Sequence, residues 1–305
     1  MRHDIEFDAD HTTLRGWLYI PDDQDPPYPA VVMAHGFAAL KEMGLPDYAS
    51  CFVQAGLSVL AYDNRNFGES DGEPRQEIDP IAQMRDYRHA ITFLGSREEI
   101  DSDRIGVWGT SYTGGLVLQA AALDPRIGCV VSQVPFLSGW ESMRQVLPLE
   151  GRRDFFQSLI EDREKVARGC APSYVSVCND DPVKPEDAPG RLTYQYFTSQ
   201  AAKAGVAWEN RVTTRSLDLR LEYEALPFMS RVSPTPLLMI VAEHDTITPT
   251  DIALRAYEQA LEPKQLLLLP GGHYEPYVEH FEPASTTARD WFERHLCGGP
   301  PRPFG

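Results

Sequence analysis

The chain is expected to fold as a doubly wound, mostly parallel α/β sheet with a helical cap inserted between two of its strands. Three observations predict this. Short, continuously apolar runs such as Ala30-Val31-Val32-Met33-Ala34 recur along the chain, as parallel strands covered on both faces require. Segments of helical periodicity separate them. About 100 residues between Val134 and Pro236 lack a clear buried strand, too many for a structureless loop inside a compact domain.

The first 20 residues read as a hairpin. Ile5 and Phe7 alternate with acids, Asp8-Ala9-Asp10-His11 turns, and Leu14, Gly16, Leu18 and Ile20 alternate again. A proline-rich loop from Pro21 to Pro29 leads into the run Ala30–Ala34, and the same signature returns in Leu57–Tyr62, Ile105–Trp108, Ile127–Val131, Leu237–Ala242 and Leu266–Leu269. Between these runs, Ile81, Met84, Ile91 and Leu94 mark one helix, with Arg85, Asp86 and Arg88 facing away. Ala253, Ala256, Tyr257, Ala260 and Leu261 mark a second helix over Thr250–Leu261. In the long interval, Phe155, Phe156, Leu159 and Ile160 suggest helix, as do Leu217, Leu219 and Leu221, whereas Asn179 to Gly190 has loop chemistry. The organisation is therefore a core of residues 1–135 and 236–297, a cap over 136–235, and a tail over 298–305.

The chemistry concentrates where strands end. Gly109-Thr110-Ser111-Tyr112-Thr113-Gly114-Gly115 directly follows the strand Ile105–Trp108 and precedes a helix-like segment from Leu116 to Leu123. A serine on such a sharp turn exposes its hydroxyl at the carboxyl edge of the sheet, and small neighbours relieve the crowding. The bland alternative is a helix N-cap serine. A serine hydroxyl becomes a nucleophile only beside a base that a third group orients. Asp245 ends the strand Leu237–Ala242 within Glu243-His244-Asp245, and His273 sits in the Gly271-Gly272-His273 loop after the next strand. Ser111, Asp245 and His273 follow the chain order nucleophile, acid, base. Taken singly, Asp245 could cap the helix beginning near Pro249 and His273 could be a surface loop residue. Glu243 and His244 compete for the acid's place, with the wrong expected direction. Donors for an oxyanion are expected at the N–H of Tyr112 and at the N–H of Phe37, in the His35-Gly36-Phe37 loop. His35 reads as a structural hydrogen-bonding residue.

These residues resemble the α/β-hydrolase fold superfamily over nearly the whole chain. Tyr62-Asp63-Asn64-Arg65-Asn66-Phe67-Gly68-Glu69-Ser70 is similar to that fold's D-x-R-G-x-G-x-S loop, with Asn66 where its first glycine stands. A second departure is Thr113, which replaces the usual glycine two residues after the serine and should crowd the turn. Ser-Tyr-x-Gly also occurs in the cocaine-esterase and X-prolyl-peptidase branch, but this chain is expected to lack room for their extra C-terminal domain. Trp208 to Ser216 and Pro236 to Asp245 are similar to a branch of fungal polyketide transferases and hydrolases with bacterial relatives. That resemblance implies acyl or thioester substrates, some of them carrier-bound.

The cap should set selectivity, with Phe136, Trp140, Met143 and Trp208 as candidate substrate-binding residues and Tyr194, Tyr196 and Phe197 as further apolar lining. An ester or thioester with an apolar acyl part is the expected substrate, cleaved through a Ser111 acyl-enzyme. Transfer of the same acyl group to an alcohol, carbon–carbon bond hydrolysis and a non-catalytic ligand receptor are the competing classes. No cofactor or metal is expected. His273, Glu275, Glu279 and His280 do not form H-E-x-x-H, and neither a dinucleotide nor a phosphate-loop motif follows a strand.

Composition bounds the partners. The net charge of −17 on 305 residues repels nucleic acid and anionic lipid. No apolar run reaches the roughly 20 residues of a membrane span. The five cysteines at 51, 129, 170, 178 and 297 match no zinc or C-x-x-C spacing, which suggests free thiols in the cytoplasm. The stretch Ser138 to Pro234 carries 13 basic and 14 acidic residues, leaving −16 on the rest of the chain. A nearly neutral cap suits an uncharged substrate and provides no large field for an acidic carrier protein, although Arg152 and Arg153 leave room for such a contact. Oligomeric state is not legible.

Overall fold

The computed structural model describes residues 1–22, 25–179, 183, 185, 186 and 189–298. The hairpin forms from β1 (Arg2–Ala9) and β2 (Thr12–Tyr19), in register from Arg2↔Tyr19 to Ala9↔Thr12. Its turn holds Asp10 and His11 at φ of 52° and 64°, the left-handed pair whose twist matches the flanking strands. Then come β3 (Tyr28–Ala34), α1 (Leu45–Gln54), β4 (Ser58–Tyr62), α2 (Pro80–Gly95), β5 (Ile100–Thr110), α3 (Tyr112–Leu123) and β6 (Ile127–Gln133). The interval after β6 is helical, with α4 (Gly139–Val146), α5 (Leu149–Ala167), α6 (Pro189–Ala204) and α7 (Thr214–Leu221). A separate two-stranded ribbon pairs β7 (Tyr174–Val175) with β8 (Val212–Thr213). The main sheet resumes with β9 (Leu237–Ala242), α8 (Thr250–Gln259), β10 (Lys264–Leu269) and α9 (Phe281–Phe292).

The eight-stranded sheet runs β1-β2-β4-β3-β5-β6-β9-β10, parallel from β4 onward. Each inner strand divides its side chains between two cores. Val31 and Met33 of β3 join Tyr48 and Phe52 of α1 and Phe292 of α9 on one face, while Ala30, Val32 and Ala34 join Leu116 of α3 on the other. The order reverses beside β3, whose sequence neighbours β4 and β5 lie on opposite sides. Ligands of open α/β sheets bind at the carboxyl ends of strands at such a switch point. Among the described residues no helix is long and apolar enough to cross a membrane.

Three expectations are corrected by packing. Asp86 does not face away from α2 but is fully buried, because Arg65 of the loop after β4 reaches it with both Nε and Nη2. Leu261 lies beyond the end of α8 and is exposed. The run Leu266–Leu269 belongs to an edge strand that pairs with β9 alone, so Leu268 is exposed and only Leu269 is buried. Part of the expected Asn179–Gly190 loop, and the tail beyond Gly298, lie outside the described residues.

The loops leaving β3 and β4 are bound together by a buried ion cluster. Asp63 accepts the Lys41 N–H on Oδ1 at 2.9 Å and the Lys41 ammonium on Oδ2 at 2.8 Å, and both side chains are fully buried. Glu42 and Glu69 converge on the same ammonium at 2.8 and 2.7 Å. Burial pulls the Lys41 pKa down, but the carboxylates more than offset this and leave it raised. Lys41→Met is therefore expected to cost about 3–5 kcal/mol, because it strands a buried carboxylate. Urea unfolding would measure it, with Lys41→Met/Asp63→Leu recovering much of the loss. A single variant within about 1 kcal/mol of wild type, the range of an exposed pair, would contradict this account.

Candidate active site

The turn from β5 into α3 is built by close backbone contact. A side chain on Gly109 would meet the Thr113 carbonyl at 2.2 Å, and one on Gly115 the Phe136 carbonyl at 1.8 Å. Ser111 takes φ 53° and ψ −116°, a sparsely populated conformation that the surroundings must enforce. They do so with two hydrogen bonds of 2.8 Å, from Ser111 N–H to Gln133 and from Phe136 N–H to the Ser111 carbonyl. The expected crowding by Thr113 does not arise. Its hydroxyl accepts the Thr110 N–H at 3.0 Å and lies 3.0 Å from the Ala34 carbonyl, so the side chain ties the turn to β3. The other departure is equally accommodated: Asn66 adopts φ 71°, which asparagine tolerates better than most side chains.

Ser111 Oγ lies 3.0 Å from His273 Nε2, and His273 Nδ1 lies 2.7 Å from Asp245 Oδ2. His273 and Asp245 are buried, whereas Glu243 and His244 are exposed. The carboxylate is fully engaged. Oδ1 accepts the N–H groups of Ile247 and Thr248, both at 2.8 Å, and Oδ2 lies 2.8 Å from the Thr248 hydroxyl. Asp245 thus closes the turn before α8 and contacts His273 at once, but it does not cap that helix, whose N-cap is Pro249 with no side-chain hydrogen bond. An acceptor at Nδ1 requires the tautomer with the proton there, which leaves Nε2 free to take a proton from Ser111. Thr248 was not singled out from sequence, although Asp followed three residues later by Thr is a recognisable turn pattern.

The loop after β3 runs against this turn: a side chain on Gly36 would contact Ser111 Cβ at 3.6 Å. Tyr112 opens α3, so its N–H falls outside the helical ladder. Phe37 and Tyr112 meet edge to face with centroids 5.9 Å apart. His35 is buried beneath, with Nδ1 2.9 Å from the Gly36 carbonyl and Nε2 accepting the Asn64 N–H at 3.1 Å. Burial lowers its pKa against the pull of Asp63, consistent with a neutral ring that braces the loop.

Ser111 and His273 open into a cavity of about 190 Å³, also lined by Phe37, Tyr112, Phe136 and Arg220. The wall beside His273 is phenolic: Tyr274 meets its ring at 5.1 Å, and Tyr196 stacks on Tyr274 at 4.5 Å and meets Tyr277 at 5.4 Å. Burial raises the pKa of Tyr196, Tyr274 and Tyr277, keeping them neutral. Of the four cap residues expected to bind substrate, only Phe136 faces the cavity. From α4 it is Ser142 and Val146, four residues apart on one face, that line it, while Met143 is buried elsewhere and Trp140 is 47% exposed. Trp208 packs against Phe197 with the rings tilted at 33° and centroids 4.9 Å apart, and donates from Nε1 to the Ala38 carbonyl at 2.8 Å, anchoring the segment. Tyr196 and Phe197 do line the cavity.

Residues 29–279 match the family model described as the alpha/beta hydrolase fold. The chain belongs to the α/β-hydrolase fold family. Its relatives fall in the branch that the insertion segment resembled. A "Thiohydrolase" of Eupenicillium brefeldianum is 33% identical over 90% of this chain and 88% of its own length. The "Polyketide transferase grgF" of Penicillium sp. is 30% identical over 97% of both chains. The crystal structure of alpha/beta hydrolase GrgF from Penicillium sp. sh18 superposes with a TM-score of 0.84 at 30% identity, covering 97% of this chain and 99% of that one. Fold, family and relatives identify an α/β-hydrolase enzyme.

Proposed function

We propose that this enzyme cleaves a carboxylic ester or thioester with a medium, apolar acyl part through an acyl-enzyme on Ser111. The observation that carries the reading is the continuous hydrogen-bonded path from Ser111 Oγ through His273 to Asp245, at 3.0 and 2.7 Å. In this reading His273 takes the Ser111 proton as Oγ attacks the acyl carbon, then gives it to the departing alcohol or thiol. The N–H groups of Phe37 and Tyr112 receive the oxyanion of the tetrahedral intermediate. A water deprotonated by His273 releases the acid and regenerates Ser111. The 136–235 segment acts as the cap, and the cavity of about 190 Å³ is smaller than the roughly 300–1,000 Å³ of drug-sized sites. The five cysteines, none of them in a disulfide, suit a cytoplasmic setting.

Acyl transfer to an alcohol is the second reading, favoured by relatives named polyketide transferases beside those named thiohydrolases. The step that divides them is which nucleophile reaches the Ser111 ester. The test is a panel of acyl esters and thioesters, with and without added alcohols, with products identified by mass. A fluorophosphonate probe, mapped by peptide mass, is expected to label Ser111. Labelling at another serine would remove the basis of the assignment. Free acid as the sole product in the presence of alcohols would select hydrolysis, and a new ester would select transfer.

A further inference from the structure

Arg220, on α7, lines the same cavity as Ser111 and His273. Its guanidinium carbon sits 5.5 Å from the ring centroids of both Phe37 and Phe136, within cation–π range of both. Its Nε is buried and has no hydrogen-bond partner. Among the described residues the neighbouring acids are committed elsewhere or exposed. Along the chain, Asp218 pairs with Arg163, Glu224 accepts from the Ser138 hydroxyl, and Glu222 is exposed. Burial lowers the Arg220 pKa with no acidic group offsetting it, yet a guanidinium stays protonated in a protein. The site thus keeps an unpaired cation beside the Phe37 and Phe136 rings, in a cavity whose other polar side chains are hydroxyls and His273. Half-burying a cation without a counter-charge is costly, and a cavity-facing fork is matched by planar groups with two oxygens.

We propose that Arg220 is a specificity-determining residue that binds a carboxylate carried on the acyl group, remote from the reacting carbon. This rests on the ester or thioester hydrolase reading and deepens it, since it replaces a purely apolar acyl part with one that carries charge away from the reacting carbon. Phe37 then has two roles, with its backbone N–H facing the reacting carbon and its ring holding the cation that meets the far end.

The test compares thioesters carrying hexanoyl and adipoyl groups, which are equal in chain length and differ in the terminal carboxylate. In the wild type, kcat/KM is expected to favour adipoyl over hexanoyl. In Arg220→Met, which retains the apolar stem, that preference is expected to fall about 10- to 100-fold, the scale of charge-assisted hydrogen bonds. Arg220→Lys, which keeps the charge and loses the fork, is expected to restore only part of it. Because the readout is a ratio within each variant, general damage to the site cancels. Calorimetry with the corresponding N-butyl amides gives the same comparison without turnover. A preference for hexanoyl in the wild type, or a ratio that Arg220→Met leaves alone, overturns the proposal. If neutral thioesters are still cleaved and Ser111 still labelled, the hydrolase reading survives that outcome. If neither labelling nor turnover occurs with any acyl group, that parent reading fails, and the amide binding ratio alone decides the role of Arg220.

Discussion

Ser111→Ala is expected to lower kcat on esters and thioesters by on the order of 10⁴- to 10⁶-fold, while binding of uncleaved substrate changes little. The loss is nearly total because the substitution removes the atom that would form the covalent bond. Alanine must still occupy φ 53° at this position, and the two backbone hydrogen bonds that enforce that angle do not involve the hydroxyl. The turn, the cavity and the proposed oxyanion donors therefore survive the change. What remains is the catalysis such donors and substrate positioning supply without a nucleophile. Thermal unfolding should show a fold as stable as wild type, and single-turnover mixing with a chromogenic thioester should show no burst. Activity retained within about tenfold of wild type, far above the residual that a lost nucleophile leaves, would mean that another group attacks the acyl carbon.

How far the sequence reached depends on whether a feature is set locally or by distant packing. The strands were legible because burial on both faces leaves an unbroken apolar run, and Ala30–Ala34 is buried throughout. The meeting of Ser111, Asp245 and His273 could be anticipated because each follows a parallel strand, so the topology carries all three to one sheet edge. Features that depend on a partner far along the chain were not legible. Asp86 reads as a solvent-facing acid until Arg65 is placed beside it, and Thr113 reads as an intrusion until the Ala34 carbonyl is beside it. The cap shows the same limit more sharply. Trp140, Met143 and Trp208 are apolar and lie in the right segment, but a short helix can present only one face to the cavity, and α4 presents Ser142 and Val146. Arg220 gave no signal at all, since one arginine in a nearly neutral segment looks like a surface charge until its rings and its missing partner are seen.

Asp245→Asn is expected to lower kcat by roughly 10⁴-fold, the scale of a base held in the wrong tautomer, and the local geometry says why asparagine cannot compensate. The carboxylate uses one oxygen to accept two backbone N–H groups, from Ile247 and Thr248, at 2.8 Å each. Asparagine must put its carbonyl oxygen there, because its amide would otherwise set N–H against N–H. That choice turns the amide nitrogen toward His273 Nδ1, as a donor where the wild type has an acceptor at 2.7 Å. Nδ1 must then accept, the ring proton moves to Nε2, and Nε2 can no longer take the Ser111 proton. The turn before α8 keeps its hydrogen bonds, so stability should change little. Asp245→Ala leaves those two N–H groups without their acceptor and should lose stability as well as activity, which separates orientation of His273 from closure of the turn. Paired measurements of kcat and thermal midpoint on the two variants test both halves. If Asp245→Asn kept wild-type turnover, His273 would not depend on Asp245 for its tautomer. The acid's role would then need another carboxylate, although Glu243, its nearest rival along the chain, is exposed.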